Sequence, residues 1–423
     1  MIKFDIKYTK RGDFVKYDLL EKVYYKNRDE YERIYEERKN SSNAISLELD
    51  INGNEAFYLN TSESVMSISR IYKKFAELNK LCLELPTVAY AAYERDCLID
   101  EIVLTNDIEG VRSTRKEVID VLDGDEKQTK KRRFDGMVWK YGLLLDGTET
   151  AFDISLNNSQ DIRALYDEIV LDEISSSNIP DGKIFRKDIA EVVSGTLKVK
   201  HVGVHPEEKI IAYIDKVLDI YNTYEIPQLY KIAILHYMMG YIHPFYDGNG
   251  RLSRFISSYL LKREFNTLIA LRLSYTIKSE KDKYYKAFDI ANNKKNKGEL
   301  THFIMYFSQV IEKSIDFLVD NLIRGKEKLD YFSKLLEKKY GHLEEKEKRK
   351  TYEVLLVLIQ NELFSVDYLD KKQLADQLKT DYRTANKYIE ALIEKGAPIY
   401  IYKSGRKNIY KIDLEKIIEF LNG

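Results

Sequence analysis

Twelve residues, HPFYDGNGRLSR from His243 to Arg254, constrain the fold of this chain more than any other segment. Pro244 disfavours helical backbone at the residue before it, so a helix arriving from upstream has to stop at His243. That upstream stretch, QLYKIAILHYMMGYI, carries Leu229, Ile232, Ala233, Tyr237 and Gly240 near helical spacing, with His236 as the polar exception. A second helix is expected from about Arg251, with Leu252, Phe255, Ile256 and Tyr259 on one face. The predicted order is helix, glycine loop, helix.

The chemistry of the loop is that of a nucleotide and a hydroxyl. Imidazole has an ordinary pKa of about 6.5, so neutral His243 can take a proton from a Ser, Thr or Tyr hydroxyl. Asp247 offers a hard oxygen ligand suited to Mg²⁺ on phosphates. Gly248, Asn249 and Gly250 can turn backbone N–H groups toward an anion at a helix N-terminus. Arg251 and Arg254 are three apart, so both can lie along one side of the second helix, and their planar forks suit phosphate oxygens. Phe245 reads as an anchor for the loop.

These residues resemble the signature of the Fic family, HxFx[DE]GNGRxxR, at every fixed position: His243, Phe245, Asp247, Gly248, Asn249, Gly250, Arg251 and Arg254. The resemblance covers roughly residues 90 to 310. It implies a protein adenylyltransferase that moves AMP from ATP to a target hydroxyl. In that reading His243 is the base, Asp247 holds Mg²⁺, Arg251 binds the inner phosphates and Arg254 the γ-phosphate. Gly250 stands where the phosphate-transferring Doc-like relatives carry Lys, which favours AMP transfer. Upstream, TNDIEG (Thr105 to Gly110) fits the family's inhibitory motif [ST]xxxE[GN]. Thr105 and Glu109 are four apart, on one face of a helix. The resemblance pairs Glu109 with Arg254, which would remove a phosphate ligand and leave ATP badly posed for in-line attack. It also leaves open a role for Glu109 in removing AMP, and another nucleotide donor.

Downstream, KYYKAFDIANNKK places Tyr284, Tyr285 and Asn292 where relatives contact the adenine; an aromatic and an amide on one face suit a purine. The stretch GTLKVKHVGV is rich in β-branched residues and reads as a hairpin. HVGVHPEE resembles the end of the family's flap, which implies a flap near residues 196–204 on which a target strand docks by backbone pairing. Lys198 and Lys200 are candidates for tuning it. His201 and His205 lack a third ligand at metal spacing and read as structural.

The C-terminal part reads differently. After residue 325 a Lys/Glu-rich stretch suggests connecting helices. Leu374, Ala375 and Leu378 then mark a short helix, with a turn near Thr380 and Asp381. A second helix has Ala385, Tyr388, Ile389 and Leu392 inward and stops at Gly396. IYIYKSGRKNIYKI follows as a hairpin around Ser404 and Gly405. This order resembles a winged helix-turn-helix. Residues 371–411 hold ten Lys/Arg against four acids, a net of +6, whereas the whole chain carries −1. Arg383 and Lys387 are candidates for a major groove and Arg406 and Lys407 for phosphate contact. A protein-interaction platform is the alternative, as is a DNA-binding regulator whose Fic core senses nucleotide.

The expected architecture is mainly α, in four parts: a part-β region at 1–64, helices bearing the inhibitory motif at 65–149, a Fic core with a β-hairpin flap at 150–324, and connecting helices with the winged module at 325–423. The charged stretch 121–136 reads as a loop. With 423 residues, 44% hydrophobic and 32% charged, the chain has ample material for more than one core. No apolar run approaches about 18 residues, so no membrane-spanning helix is expected. Cys82 and Cys97 are read as reduced thiols in a cytoplasmic protein. Self-association is left open.

Overall fold

The computed structural model describes residues 18–124, 132–145, 154–193, 199–367, 369–404 and 407–423. The chain is mainly helical, with three small antiparallel sheets among the described residues. Helices α1 (Leu20–Lys26) and α2 (Arg28–Lys39) precede a hairpin of β1 (Ala44–Ile51) and β2 (Asn54–Leu59). There follow α3 (Ser62–Glu84), α4 (Thr87–Ile108), α5 (Arg115–Leu122), α6 (Asp135–Gly142) and α7 (Ser159–Ile169), the last running into a single 3-10 turn at Leu171–Glu173. Strands β3 (Glu191–Val193) and β4 (Val199–Val202) lead to α8 (Glu207–Thr223), α9 (Gln228–Ile242), α10 (Asn249–Glu264), α11 (Thr267–Ala270), α12 (Leu273–Ser279) and α13 (Lys281–Ala291). Then come α14 (Thr301–Tyr340), α15 (Glu345–Lys348), α16 (Val354–Phe364), β5 (Leu369–Asp370), α17 (Lys371–Gln377), α18 (Tyr382–Glu394), β6 (Ile399–Ser404), β7 (Lys407–Ile412) and α19 (Leu414–Asn422).

The described residues form two compact units. The first comprises residues up to 74 together with Glu101–Ser314; the second comprises Phe75–Asp100 and Ile315–Gly423. In the first unit, α9 is buried on nearly every side, from Leu229 through Ile242. A helix apolar all round belongs in the centre of its unit. It packs beside α8 and α10, so the loop between α9 and α10 emerges from the middle of the core. The β1–β2 hairpin turns at Asn52-Gly53, both with positive φ (55° and 83°), the backbone that a two-residue hairpin turn requires.

In the second unit, α17 and α18 are joined by a tight turn whose Asp381 side chain accepts from the Arg383 and Thr384 amides. Ala385, Ile389 and Leu392 face inward as their spacing predicts, and Gly396 closes the helix at φ 87°. Strands β6 and β7 pair from Ile399↔Ile412 to Ser404↔Lys407, and β5 adds to the other side of β7. Gly405 and Arg406, at the predicted hairpin tip, lie outside the described residues.

Candidate active site

The end of α9 is shaped by side chains as much as by Pro244. His243 sits in left-handed backbone (φ 52°, ψ 62°), capping α9 with its N–H on the Met239 carbonyl. Non-glycine residues adopt this region rarely, and it is held here by surrounding contacts. The main one is Arg186, fully buried. Its Nε donates to the His243 carbonyl at 2.9 Å, Nη1 to Asp188 O at 2.6 Å, and Nη2 to Val204 O at 2.8 Å and Ile242 O at 3.4 Å. The Val204 amide also donates to Ile242 O at 3.0 Å, so the strand end beyond β4 is tied to the same turn.

The loop is stapled next. Asn249 accepts the Phe245 amide at 2.9 Å and donates to the Phe245 carbonyl at 2.8 Å. The Phe245 ring stacks on Tyr166 (centroids 3.7 Å apart) and meets Phe185 edge-on. Helix α10 starts at Asn249, two residues before the predicted Arg251, because Gly248 takes the cap position at φ 81°. Asp247 is exposed; its Oδ1 accepts the Gly248 amide at 2.6 Å.

Burial, with the Arg186 guanidinium and His201 ring nearby, lowers the His243 imidazole to about 4. The ring is therefore neutral over the physiological range and able to accept a proton. His201 gives its Nε2–H to the Tyr241 carbonyl at 2.6 Å. No group of three or more His, Cys, Asp or Glu among the described residues is arranged to hold a metal.

Both arginines at the start of α10 are buried and both meet carboxylates. Arg254 donates from Nε to Thr105 Oγ1 at 2.8 Å, from Nη2 to the Thr105 carbonyl at 2.9 Å, and from Nη1 to Glu109 Oε1 at 2.8 Å. Burial pushes the Glu109 carboxyl up, but the charge and hydrogen bond of Arg254, with Arg251 and His243 behind, hold it below the usual range. A methyl group on Gly250 would collide with Glu109 Oε1, so glycine is what lets that carboxylate approach the loop. Arg251 donates from Nη1 to Glu173 Oε2 at 2.8 Å.

Helix α4 ends where Glu109 needs it to. Gly110 has φ 75°, its N–H reaches Asp107 O, and Val111 N–H reaches Asn106 O, a double closure typical of a glycine stop. Lys281 Nζ donates to Ile108 O at 2.7 Å, and Lys278 pairs with Asp107 at 2.5 Å.

A histidine able to accept a proton at one helix end, glycines at the next helix start, and two arginines in the first turns of that helix lie between His243 and Arg254. Residues 155–261 match the Fic/DOC family model. The chain carries a Fic/DOC-family domain. The protein adenylyltransferase Fic of Drosophila erecta is 32% identical over 98 residues, 22% of this chain and 18% of that one. The Drosophila melanogaster protein of the same name is 33% identical over 84 residues, 20% of this chain and 15% of its own. The chain thus spans under a fifth of the length of these curated relatives. A Fic family protein from Desulfovibrio desulfuricans G20 shares the fold, with a TM-score of 0.51 at 18% identity over 84% of this chain and 97% of that one.

Around the Fic domain the remaining predicted residues fall in several places. Tyr285 is partly exposed and its hydroxyl approaches Ile108 O at 3.4 Å, next to Glu109. Tyr284 is buried, its hydroxyl on His236 Nε2 at 2.9 Å. Asn292 accepts from the Tyr237 hydroxyl at 2.7 Å. Strands β3 and β4 pair antiparallel, Glu191↔Val202 to Val193↔Val199; residues 196–198 of the expected flap, Lys198 included, lie outside the described residues. Arg383 and Lys387 are on α18 in the second unit; Arg406 and the Lys407 side chain are outside the described residues. Arg186, Tyr166 and Glu173 had no local signal in the sequence. An arginine in FRKD reads as one more surface cation until the fold surrounds it with carbonyls.

Proposed function

We propose that this chain is a protein adenylyltransferase, transferring AMP from ATP to a Ser, Thr or Tyr hydroxyl of a target protein, and that Glu109 holds it in check. The observation that carries the reading is the Glu109 carboxylate seated on Arg254 and against Gly250. An anion already rests on an arginine of the nest, in space that only a glycine leaves open. A phosphate arriving there meets both an occupied guanidinium and a like charge.

With Glu109 withdrawn, His243 takes the proton of the target hydroxyl as its oxygen attacks the α-phosphorus. The bond from that phosphorus to the bridging oxygen breaks, and pyrophosphate leaves with the electron pair. Arg251, Arg254 and the amides at the start of α10 stabilise the charge that develops. Mg²⁺ suits the site: Asp247 is an exposed carboxylate whose Oδ2 has no partner among the described residues, and this ion commonly takes one or two carboxylates with substrate phosphates. When bound it would neutralise phosphate charge. A target strand adding to the β3–β4 pair would be held in register with His243, since Val204 and Arg186 tie that pair to the end of α9. Tyr285 beside Ile108 supports an adenine site near the brake.

The test is label transfer from α-labelled ATP with Mg²⁺. Glu109→Gly is expected to raise auto-modification by at least about tenfold, the equivalent of one charge-assisted hydrogen bond regained by phosphate. Glu109→Gly/His243→Ala is expected to bind ATP and transfer nothing. Unchanged label in the folded single variant would defeat the brake.

A second reading concerns the C-terminal unit, which supports a winged helix-turn-helix partner module. Tyr382 and Arg383 stand at the start of α18, with Tyr382 largely exposed, while Asn386 is tied to Glu390 and Tyr410. Duplex DNA binding there would weaken steeply with salt and be indifferent to His243→Ala.

A further inference from the structure

The two arginines of the Fic loop are matched one to one by carboxylates, and only Glu109 comes from the inhibitory segment. The other is Glu173, at the end of the 3-10 turn that follows α7. Its side chain and that of Arg251 are 7% and 2% exposed. The pair is incomplete: a single N–H···O contact joins them at 2.8 Å, and Arg251 Nε and Glu173 Oε1 are both buried with no hydrogen-bond partner. A guanidinium satisfied by a carboxylate usually takes it through two parallel N–H groups. Here a buried donor is left over, and such a donor is costly unless something else occupies it. Burial pushes the Glu173 carboxyl up in spite of Arg251, so the attraction does not fully offset the desolvation of the acid. The contact is one that a better acceptor, with more oxygens and more charge, can replace.

We propose that Glu173 is a second carboxylate restraint on the phosphate cradle, acting on Arg251 independently of Glu109, and that an incoming polyphosphate takes Arg251 over from it. This rests on the reading of the cradle as a nucleotide polyphosphate site. Glu109 follows α4 and Glu173 follows α7, and no hydrogen bond joins them, so removing either leaves the other in place. With both present, each of the two arginines is matched by a carboxylate, so neither offers an unopposed charge to an anion. Glu109→Gly alone frees one positive charge; the second stays matched.

The experiment measures binding of Mg-ATP, tripolyphosphate and adenosine to the full chain by calorimetry, in wild type, Glu109→Gly, Glu173→Gln and the double variant, each checked by thermal melting. Glu173→Gln keeps the shape and removes the charge. It is expected to tighten tripolyphosphate and ATP binding about tenfold, with the gain multiplying that of Glu109→Gly, and to leave adenosine unchanged. A general structural change would not separate polyphosphate from adenosine. Unchanged or weaker tripolyphosphate binding by folded Glu173→Gln overturns the proposal, because Glu173 would then be orienting Arg251 for the phosphate. If the glutamine variant does not fold, Glu173→Asp draws the carboxylate back by one methylene; a smaller gain is expected, and a loss overturns the proposal. ATP bound by Glu109→Gly but no tighter with Glu173→Gln added sinks the restraint alone. Tripolyphosphate tightened in Glu173→Gln, with ATP no tighter than tripolyphosphate in every variant, supports the restraint and sinks the nucleotide reading.

Discussion

Single residues set the chemistry here by what they lack as much as by what they carry. His243 is partly withdrawn from solvent beside the Arg186 guanidinium, and its imidazole falls to about 4. The consequence is a pH profile. A base works only when neutral, so transfer is lost as pH falls through the folded-state value. In Glu109→Gly the rate should stay flat from pH 8 to about 5 and drop below that with unit slope, read by initial label incorporation at saturating ATP. Glu109 is among the groups that raise the His243 value, so its removal extends the flat region. A break near the ordinary value of about 6.5 would mean that burial is not felt in the working state. Gly250 lacks a side chain, and that space is filled by Glu109 Oε1. The resemblance singled out Gly250 as the glycine that favours AMP transfer; the occupant of the space it leaves is the Glu109 carboxylate.

At the scale of elements, the site depends on where three helices begin or end. Helix α9 stops at His243, α10 starts at Asn249, and α4 closes at Gly110. The stop at His243 was legible because Pro244 follows it; the start of α10 was expected two residues later, at Arg251, and the positive-φ glycines that set it and close α4, at 248 and 110, emerged with the fold. What holds the left-handed turn at His243 was not legible, since Arg186 lies 57 residues away from it along the chain. Arg186→Met should cost roughly 3 kcal/mol or more, because carbonyls of Asp188, Val204, Ile242 and His243 lose a charged donor. In a form stable enough to assay, it should lower the transfer rate far more than ATP affinity. Denaturant unfolding and a split between kcat and KM check this; equal losses in both would assign Arg186 to general folding only.

For the whole molecule, stability depends on polar groups that the core has enclosed. Glu101 is fully buried on α4, accepting from the Ser274 amide at 2.8 Å and its hydroxyl at 2.5 Å, with Ser258 at 3.4 Å. Burial pushes its carboxyl up to about 7, against the pull of Ser274, Arg254 and Arg272. A carboxyl whose folded value is raised binds a proton that the unfolded chain releases. Its contribution is complete below about pH 4.5 and is lost as pH rises to about 7, by about 3 kcal/mol over that window. Relative to Glu101→Gln, wild type should therefore be favoured at pH 5 and lose that advantage by pH 8, measured as the difference in denaturation midpoint. A difference constant with pH would mean Glu101 stays ionised throughout.

Sequence alone determined the mainly helical class, the helix–loop–helix that frames the signature, the inward face of α18, and the candidates His243, Asp247, Arg251, Arg254, Thr105 and Glu109. Each of these depends on neighbours within a few residues, through backbone restriction, helical spacing or a short motif, and local physics is written locally. Tertiary structure alone decided that Arg251 rests on Glu173, that Phe245 lies on Tyr166, that Tyr284 turns to His236, and that Arg186 holds the His243 carbonyl. Those contacts join residues tens of positions apart. No periodicity marks them, because burial in a shared core selects partners by shape and charge only after the chain has closed on itself.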